Sequence, residues 1–61
     1  MKEYSIGYID RYGDFAKIRK DGRTEKYTFE EARERAAEFA KTHRDVRIYK
    51  GWTIIESVKG E

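Results

Sequence analysis

The residues of this chain best suited to chemistry are aromatic rings and cations that alternate along short segments such as "FAKIRK" and "VRIYKGW". Eight residues carry the pattern and are the predicted binding residues: Tyr8, Phe15, Lys17, Arg19, Lys26, Arg47, Tyr49 and Trp52. Single-stranded nucleic acid is bound by such surfaces, because bases stack on the rings while cations contact phosphates. Aromatic residues and arginine also dominate the strongest contacts of protein interfaces. The pattern therefore predicts binding and leaves the class of partner open.

Other chemistry finds little support in the sequence. The chain has no cysteine and one histidine, His43, so a metal site lacks its usual ligands. Ser5 and Ser57 have no partners for a nucleophilic triad, and there is no glycine-rich phosphate loop. Asp10 and Asp14 fit a turn better than a calcium loop. We therefore predict a protein that is not an enzyme and takes no metal or cofactor.

Length and composition indicate one small domain that comprises residues 1–61. A chain of this size buries only about 60% of its unfolded surface, so its stability has to come from packing or association. The chain contains fourteen Lys and Arg residues and twelve Asp and Glu residues, so it carries two large populations of charges of opposite sign. The sequence contains no Asn, Gln, Pro or Leu. This bias is typical of hyperthermophile proteins and is shared by idealised designed scaffolds, and both origins stay open.

No segment approaches the roughly 20 apolar residues of a membrane span, and the first ten residues lack the apolar core of a signal peptide. We therefore expect a soluble, cytoplasmic protein without a membrane partner.

The element predicted most directly is a helix that begins after "TFEE". Thr28 and Glu31 have the spacing of a capping box, in which each side chain bonds the backbone amide of the other residue. One apolar stripe follows at helical spacing: Phe29, Ala32, Ala36, Phe39, Ala40 and His43. Because the stripe is rich in alanine, we expect the helix to lie close against a sheet.

Strands surround this helix. "YSIGYID", "DFAKIR" and "RTEKYT" alternate with period two, and the Asp21-Gly22 dipeptide favours a two-residue hairpin turn between the last two. "VRIY" and "WTIIESV" follow the helix, with a predicted turn at Lys50-Gly51. The order βββ-α-ββ predicts the α+β class, with a three-stranded meander and a C-terminal hairpin in one sheet under one helix.

Turn lengths fix which residues oppose one another, and so which share a face. A loop of two or four residues within Arg11 to Asp14 pairs Ile9 with Ala16, and a turn at Lys50-Gly51 pairs Tyr49 with Trp52. The face expected under the helix then comprises Gly7, Ile9, Ala16, Ile18, Tyr27, Val46, Ile48 and Ile55. The face expected to be open comprises Tyr4, Ile6, Tyr8, Phe15, Lys17, Arg19, Lys26, Arg47, Tyr49, Trp52 and Ile54.

Two features of this arrangement stay open at the level of sequence. A three-residue loop or a bulge at Gly13 would exchange the faces of the first strand and send Tyr4, Ile6 and Tyr8 inward. The order of strands between the two hairpins is also undetermined. On the expected register Lys17 lies opposite Lys26, a like-charge pair that destabilises the sheet and so indicates a binding role.

Residues 11–41, "RYGDFAKIRKDGRTEKYTFEEARERAAEFAK", resemble the arm-type DNA-binding domain of phage integrases. The resemblance implies a three-stranded sheet on one helix that enters the major groove of DNA, with Phe15, Lys17, Arg19 and Lys26 in contact. The C-terminal hairpin departs from that pattern. "TFEEARERAAEFAKT" and "KGWTI" are also similar to the immunoglobulin-binding domain of protein L, which implies a helix across a sheet.

Three functions follow from these observations. The first is a small protein-interaction module or inhibitor that acts through the open aromatic and basic face. This hypothesis includes an origin in a phage or other mobile element, and a homodimer in which two such faces pack together. The second is a nucleic-acid-binding domain, either integrase-like or single-strand-binding. The third is a thermostable or designed scaffold without a ligand.

Overall fold

The computed structural model describes residues 1–58 of the chain. Its elements are β1 (Tyr4–Ile9), β2 (Phe15–Lys17), β3 (Arg19–Lys20), β4 (Arg23–Thr24), α1 (Phe29–Phe39), β5 (Arg44–Lys50) and β6 (Thr53–Val58). The predicted α+β class with one helix is confirmed. The predicted order βββ-α-ββ is wrong, because four strands precede the helix and two follow it.

The main sheet is antiparallel and has four strands in the order β2-β1-β5-β6, while β3 and β4 form a separate two-stranded hairpin. The helix packs on one face of the sheet, against the central strands β1 and β5. Because β1 lies beside β5, strands β1 and β2 from before the helix and strands β5 and β6 from after it form one sheet. The strand order therefore brings the aromatic segments on either side of the helix onto one surface.

The helix follows its predicted start. The Thr28 hydroxyl accepts a hydrogen bond from the Glu31 amide at 3.2 Å, and the Glu31 carboxylate accepts one from the Thr28 amide at 3.0 Å. That second bond holds the pKa of Glu31 below its ordinary value. Ala32, Ala36 and Ala40 are buried as the alanine stripe predicted.

The loop between β1 and β2 has three residues, Arg11 to Gly13, and not two or four. The Asp10 amide donates to the Asp14 carbonyl at 2.9 Å, and Gly13 adopts a φ of +84°. A glycine in the left-handed region at the third position is typical of three-residue hairpin loops. The Asp10 carboxylate also accepts from the amides of Tyr12 and Asp14 and so closes the turn.

This loop shifts the register by one residue and exchanges the faces of β1. Ile9 lies opposite Phe15 and Tyr8 opposite Ala16, so the predicted pairing of Ile9 with Ala16 is wrong. Ile6 is fully buried in the core. Tyr4, Ile6 and Tyr8, expected on the open face, lie under the helix, whereas Gly7 and Ile9, expected under the helix, lie on the opposite face.

The hairpin of β5 and β6 turns at Gly51-Trp52, one residue later than predicted. Gly51 has a φ of +64°, which suits a glycine-first turn, whereas a turn at Lys50-Gly51 would need a positive φ at a lysine. Tyr49 lies opposite Ile54, so its predicted pairing with Trp52 is wrong. A shift of register leaves Ile55 without a direct partner.

The consequences for the core are mixed. Val46 and Ile48 are buried as predicted. Ile55 was expected under the helix and is instead 43% exposed. Ile18 and Tyr27 lie in the core as predicted, together with the helix alanines. Ile6 also lies in the core, although it was expected on the open face.

The predicted meander is interrupted. The predicted two-residue turn at Asp21-Gly22 forms, and Arg19 lies opposite Thr24 across it. However, Tyr27 pairs with Tyr4 of β1 through two backbone hydrogen bonds of 2.9 and 2.7 Å, and not with the second strand as a meander requires. Two separate parts of the chain thus pair with the same edge of β1, namely β2 and Tyr27. The β3–β4 hairpin lies between them in sequence and is not part of the main sheet.

Candidate functional site on the outer face of the sheet

We define the outer face as the side of the main sheet opposite the helix. The strand register assigns ten residues to it: Ser5, Gly7, Ile9, Phe15, Lys17, Arg44, Arg47, Tyr49, Ile54 and Ser57. Three of the ten are cations and none carries a carboxylate. Helix α1, on the other side, carries four glutamates and two arginines. The two sides of the molecule therefore differ in charge.

Tyr49 occupies the centre of the outer face and is only 6% exposed. The Phe15 ring meets it edge-on, with 5.8 Å between ring centroids and 76° between planes. Both rings lie over Gly7, where an added Cβ would sit 2.7 Å from an atom of each ring. The missing side chain of Gly7 is what allows the two rings to pack on the backbone.

Lys17 lies at the edge of this aromatic cluster that is nearest to the β5–β6 turn. Its ammonium donates to the Ser5 hydroxyl at 3.0 Å and to the Gly51 carbonyl at 3.2 Å. It also lies 4.1 Å from the centroid of the Trp52 ring and 4.8 Å from that of Tyr49, both favourable cation–π distances. Burial lowers the pKa of Lys17, and the neighbouring charge of Lys26 lowers it further.

Within the part of the chain that the structure describes, the ammonium of Lys17 has polar and aromatic neighbours but no anionic one. The ion pairs found among residues 1–58 join other side chains, and none includes Lys17. Its positive charge is consequently available to an anion that approaches the outer face.

Large apolar side chains surround the buried ring of Tyr49. Phe15 is 46% exposed, Trp52 is 80% exposed and Ile54 is 51% exposed. Ile55, beside Ile54 in the edge strand, is also exposed. Apolar groups clustered in this way on a folded chain usually mark an interaction site.

The structure brings together some of the predicted binding residues and separates others. Phe15, Lys17, Arg47, Tyr49 and Trp52 share the outer face or its rim. Tyr8 does not, because its ring packs under the helix against Phe39 and His43, at centroid distances of 4.9 and 4.8 Å.

Arg19 and Lys26 lie beside the outer face and not on it. Arg19 is in the β3–β4 hairpin, where its guanidinium donates to the Gly22 carbonyl. Lys26 is exposed on the segment that follows, and its predicted pairing with Lys17 is wrong, because β2 is an edge strand that pairs with β1 and not with this segment.

Three residues of the site were missed by sequence reasoning. Ser5 is fully buried and accepts from Lys17, Gly7 makes room for the rings, and Gly51 supplies a carbonyl. A glycine inside the alternating strand "YSIGYI" was the available signal, since such a residue indicates a close approach of other groups to the backbone. Nothing in the sequence singled out Ser5.

The remaining titratable clusters have structural explanations. The His43 ring stacks on Phe39 at 4.2 Å, and its Nδ1 lies 2.9 Å from the Thr42 hydroxyl. Tyr27 donates to the Glu25 carboxylate at 2.7 Å, and burial together with this bond raises the pKa of Tyr27 to about 12. Within residues 1–58 there is no group of three or more potential metal ligands, and no helix long and apolar enough to cross a membrane.

Comparisons of the chain with protein-family models, curated proteins and solved structures gave no match. The resemblances to the integrase arm domain and to protein L therefore stay predictions.

Proposed function

We propose that this chain is a non-enzymatic binding protein whose outer face docks on another protein. The partner surface is apolar at its centre and carries carboxylates around that centre. The observation that carries the proposal is the cluster of exposed Phe15, Trp52 and Ile54 around the buried Tyr49, on a face with three cations and no carboxylate.

The arrangement of the cluster supports a protein partner over stacked bases. Tyr49 is covered and Tyr8 lies under the helix, so neither of these two rings predicted for stacking is exposed on the outer face. The other two each contact a neighbour in the cluster, because Phe15 packs edge-on against Tyr49 and Trp52 lies over the Lys17 ammonium. Large aromatic side chains near the centre of a surface are typical of protein interface hot spots.

Charge supports a foreign partner over a second copy of the chain. A dimer that packed two outer faces together would oppose Lys17, Arg44 and Arg47 of one copy to the same cations of the other. Like charges across an interface are unfavourable, whereas a surface with carboxylates would be complementary. Docking would also place an anion near the Lys17 ammonium. Such binding would occlude the partner surface, which is how a small inhibitor acts.

The test compares three immobilised forms of the chain for retention of proteins from an extract of its source cells. Trp52 and Tyr12 are similarly exposed, at 80% and 76%, but Tyr12 lies in the β1–β2 loop away from the cluster. Loss of a tryptophan hot spot costs about 2 kcal/mol or more, which weakens binding roughly 30-fold. We expect Trp52→Ala to lose a protein that both wild type and Tyr12→Ala retain.

Two further results are expected from the same experiment. The retained protein should be acidic and should elute at high salt, and Trp52→Ala should melt at nearly the wild-type temperature because its side chain is largely exposed. Equal retention by Trp52→Ala and Tyr12→Ala would contradict the proposed function.

A further inference from the structure

The segment from Phe15 to Tyr27 concentrates positive charge on one edge of the molecule. It contains five cations and two carboxylates: Lys17, Arg19, Lys20, Arg23 and Lys26, with Asp21 and Glu25. The β3–β4 hairpin lies within this segment and leaves the main sheet, so its side chains are displayed apart from the outer face.

The hairpin holds two cations directly opposite each other. Lys20 pairs with Arg23 across the two strands, and both residues are exposed. Like charges at directly opposed positions of an antiparallel pair destabilise it. The fold itself therefore gains nothing from this pair.

The chain does little to neutralise these charges. Across residues 1–58, the cations found in ion pairs are Lys2, Arg33, Arg35 and Lys50, all outside the hairpin. Of the two nearby carboxylates, Glu25 accepts from the Tyr27 hydroxyl. The other, Asp21, belongs to the turn, with a φ of +53°.

The geometry of the hairpin suits a rigid, water-exposed contact. Asp21 and Gly22 both have positive φ, as a type I′ turn requires. Arg19 also donates a hydrogen bond to the Gly22 carbonyl within the hairpin. Lys20 and Arg23 thus remain for an external anion. No large apolar side chain occurs between Arg19 and Thr24, so the hairpin has nothing to insert into a bilayer.

We infer that the β3–β4 hairpin is a second binding site, separate from the outer face, for the phosphate backbone of duplex nucleic acid. A two-stranded ribbon fits the major groove, and the high charge density of a duplex matches cations that repel each other in the absence of a ligand. Lys20 and Arg23 are the phosphate contacts at the tip, and Lys26 is a third at the base. The contacts are to backbone and therefore carry no sequence preference.

The test measures the affinity for a fluorescent 20-base-pair duplex by anisotropy between 50 and 200 mM salt. The double variant Lys20→Ala/Arg23→Ala is compared with Lys2→Ala/Lys41→Ala, which removes the same formal charge elsewhere. Each lost phosphate contact lowers the slope of log affinity against log salt by about 0.9, so the hairpin variant should lose about 1.8. The affinity ratio of wild type to hairpin variant should then grow about 12-fold between 200 and 50 mM salt.

Stability and specificity provide independent readouts. Because the hairpin variant removes a like-charge pair, its melting temperature should equal or exceed that of wild type while its affinity for the duplex falls. Trp52→Ala should bind the duplex like wild type, which separates this site from the proposed protein-binding function. Vesicles rich in phosphatidylserine should show no hairpin-dependent binding.

Three results would overturn the inference. They are no duplex binding by wild type at 50 mM salt, an equal loss of affinity in the control variant, or hairpin-dependent binding to the vesicles without binding to the duplex.

Discussion

Replacement of Gly7 by alanine tests the packing at the centre of the outer face. A Cβ at this position would lie 2.7 Å from Tyr49, and 2.7 and 2.8 Å from two atoms of the Phe15 ring, which is roughly 0.6–0.7 Å inside an ordinary contact. Such overpacking costs about 1–3 kcal/mol. Alanine also reduces the entropy of the unfolded chain, which returns about 0.5–1 kcal/mol.

The two rings differ in how they can respond to the added methyl group. Phe15 is nearly half exposed and can rotate toward solvent, but Tyr49 is 6% exposed and is enclosed by Phe15 and Lys17. Because Tyr49 cannot move aside, the overpacking cost lies in the upper part of its range, about 2–3 kcal/mol, and the net loss in the free energy of unfolding is about 1–2 kcal/mol. For a domain of this size that corresponds to a melting temperature lower by about 4–16 °C.

Urea denaturation of four proteins measures the effect and its cause: wild type, Gly7→Ala, Phe15→Ala and the double variant. Because Phe15→Ala removes two of the three close contacts, Gly7→Ala should cost at least about 0.5 kcal/mol less in that background. A Gly7→Ala protein as stable as wild type, or more stable, would refute the stated packing of rings over the Gly7 backbone.

Three further predictions concern the core, the helix and the pH dependence of stability. Ile6→Ala should lower the free energy of unfolding by about 2–5 kcal/mol because Ile6 is fully buried, and Ile54→Ala by less than about 1; similar losses in urea denaturation would contradict the register. Thr28→Ala should cost about 1 kcal/mol and Thr28→Ser should recover most of it; equal melting temperatures for all three would exclude the cap. The folded-state pKa of Tyr27, about 12, exceeds the ordinary 10.0, so its contribution is present below pH 10 and lost as the pH rises toward 12. The stability gap between wild type and Tyr27→Phe should shrink by about 2 kcal/mol over that range, and a constant gap would refute the assignment.

Local signals in the sequence predicted the elements that depend on local chemistry. Thr28 and Glu31 form the expected capping box, and the alanine stripe is buried. The Asp21-Gly22 turn forms as predicted because aspartate tolerates the positive φ that this turn requires. The α+β class follows from these elements.

Register was harder to predict, because one residue in a loop changes the face of a whole strand. The Asp10 side chain closes a three-residue loop that ends at Gly13, and this alone sends Ile6 inward. In the last hairpin a positive φ at Lys50 would be unfavourable, so Gly51 opens the turn and Trp52 moves to its tip. Both differences come from the local chemistry of one or two residues in a turn.

The candidate site was predictable in part, where it depends on the orientation of single strands. Phe15, Lys17 and Tyr49 reach the outer face, since their strands kept the expected orientation. The cage of hydroxyl, carbonyl and rings around the Lys17 ammonium depends on β1 lying beside β5, a contact between distant segments that sequence periodicity does not specify.

The most direct test of the central claim is a two-dimensional NMR titration of this chain with the acidic protein that Trp52→Ala fails to retain. Docking through the outer face predicts the largest amide shift changes at Gly7, Phe15, Lys17, Tyr49 and Trp52, with little change along α1. Changes concentrated on α1, with the outer face unaffected, would contradict the account.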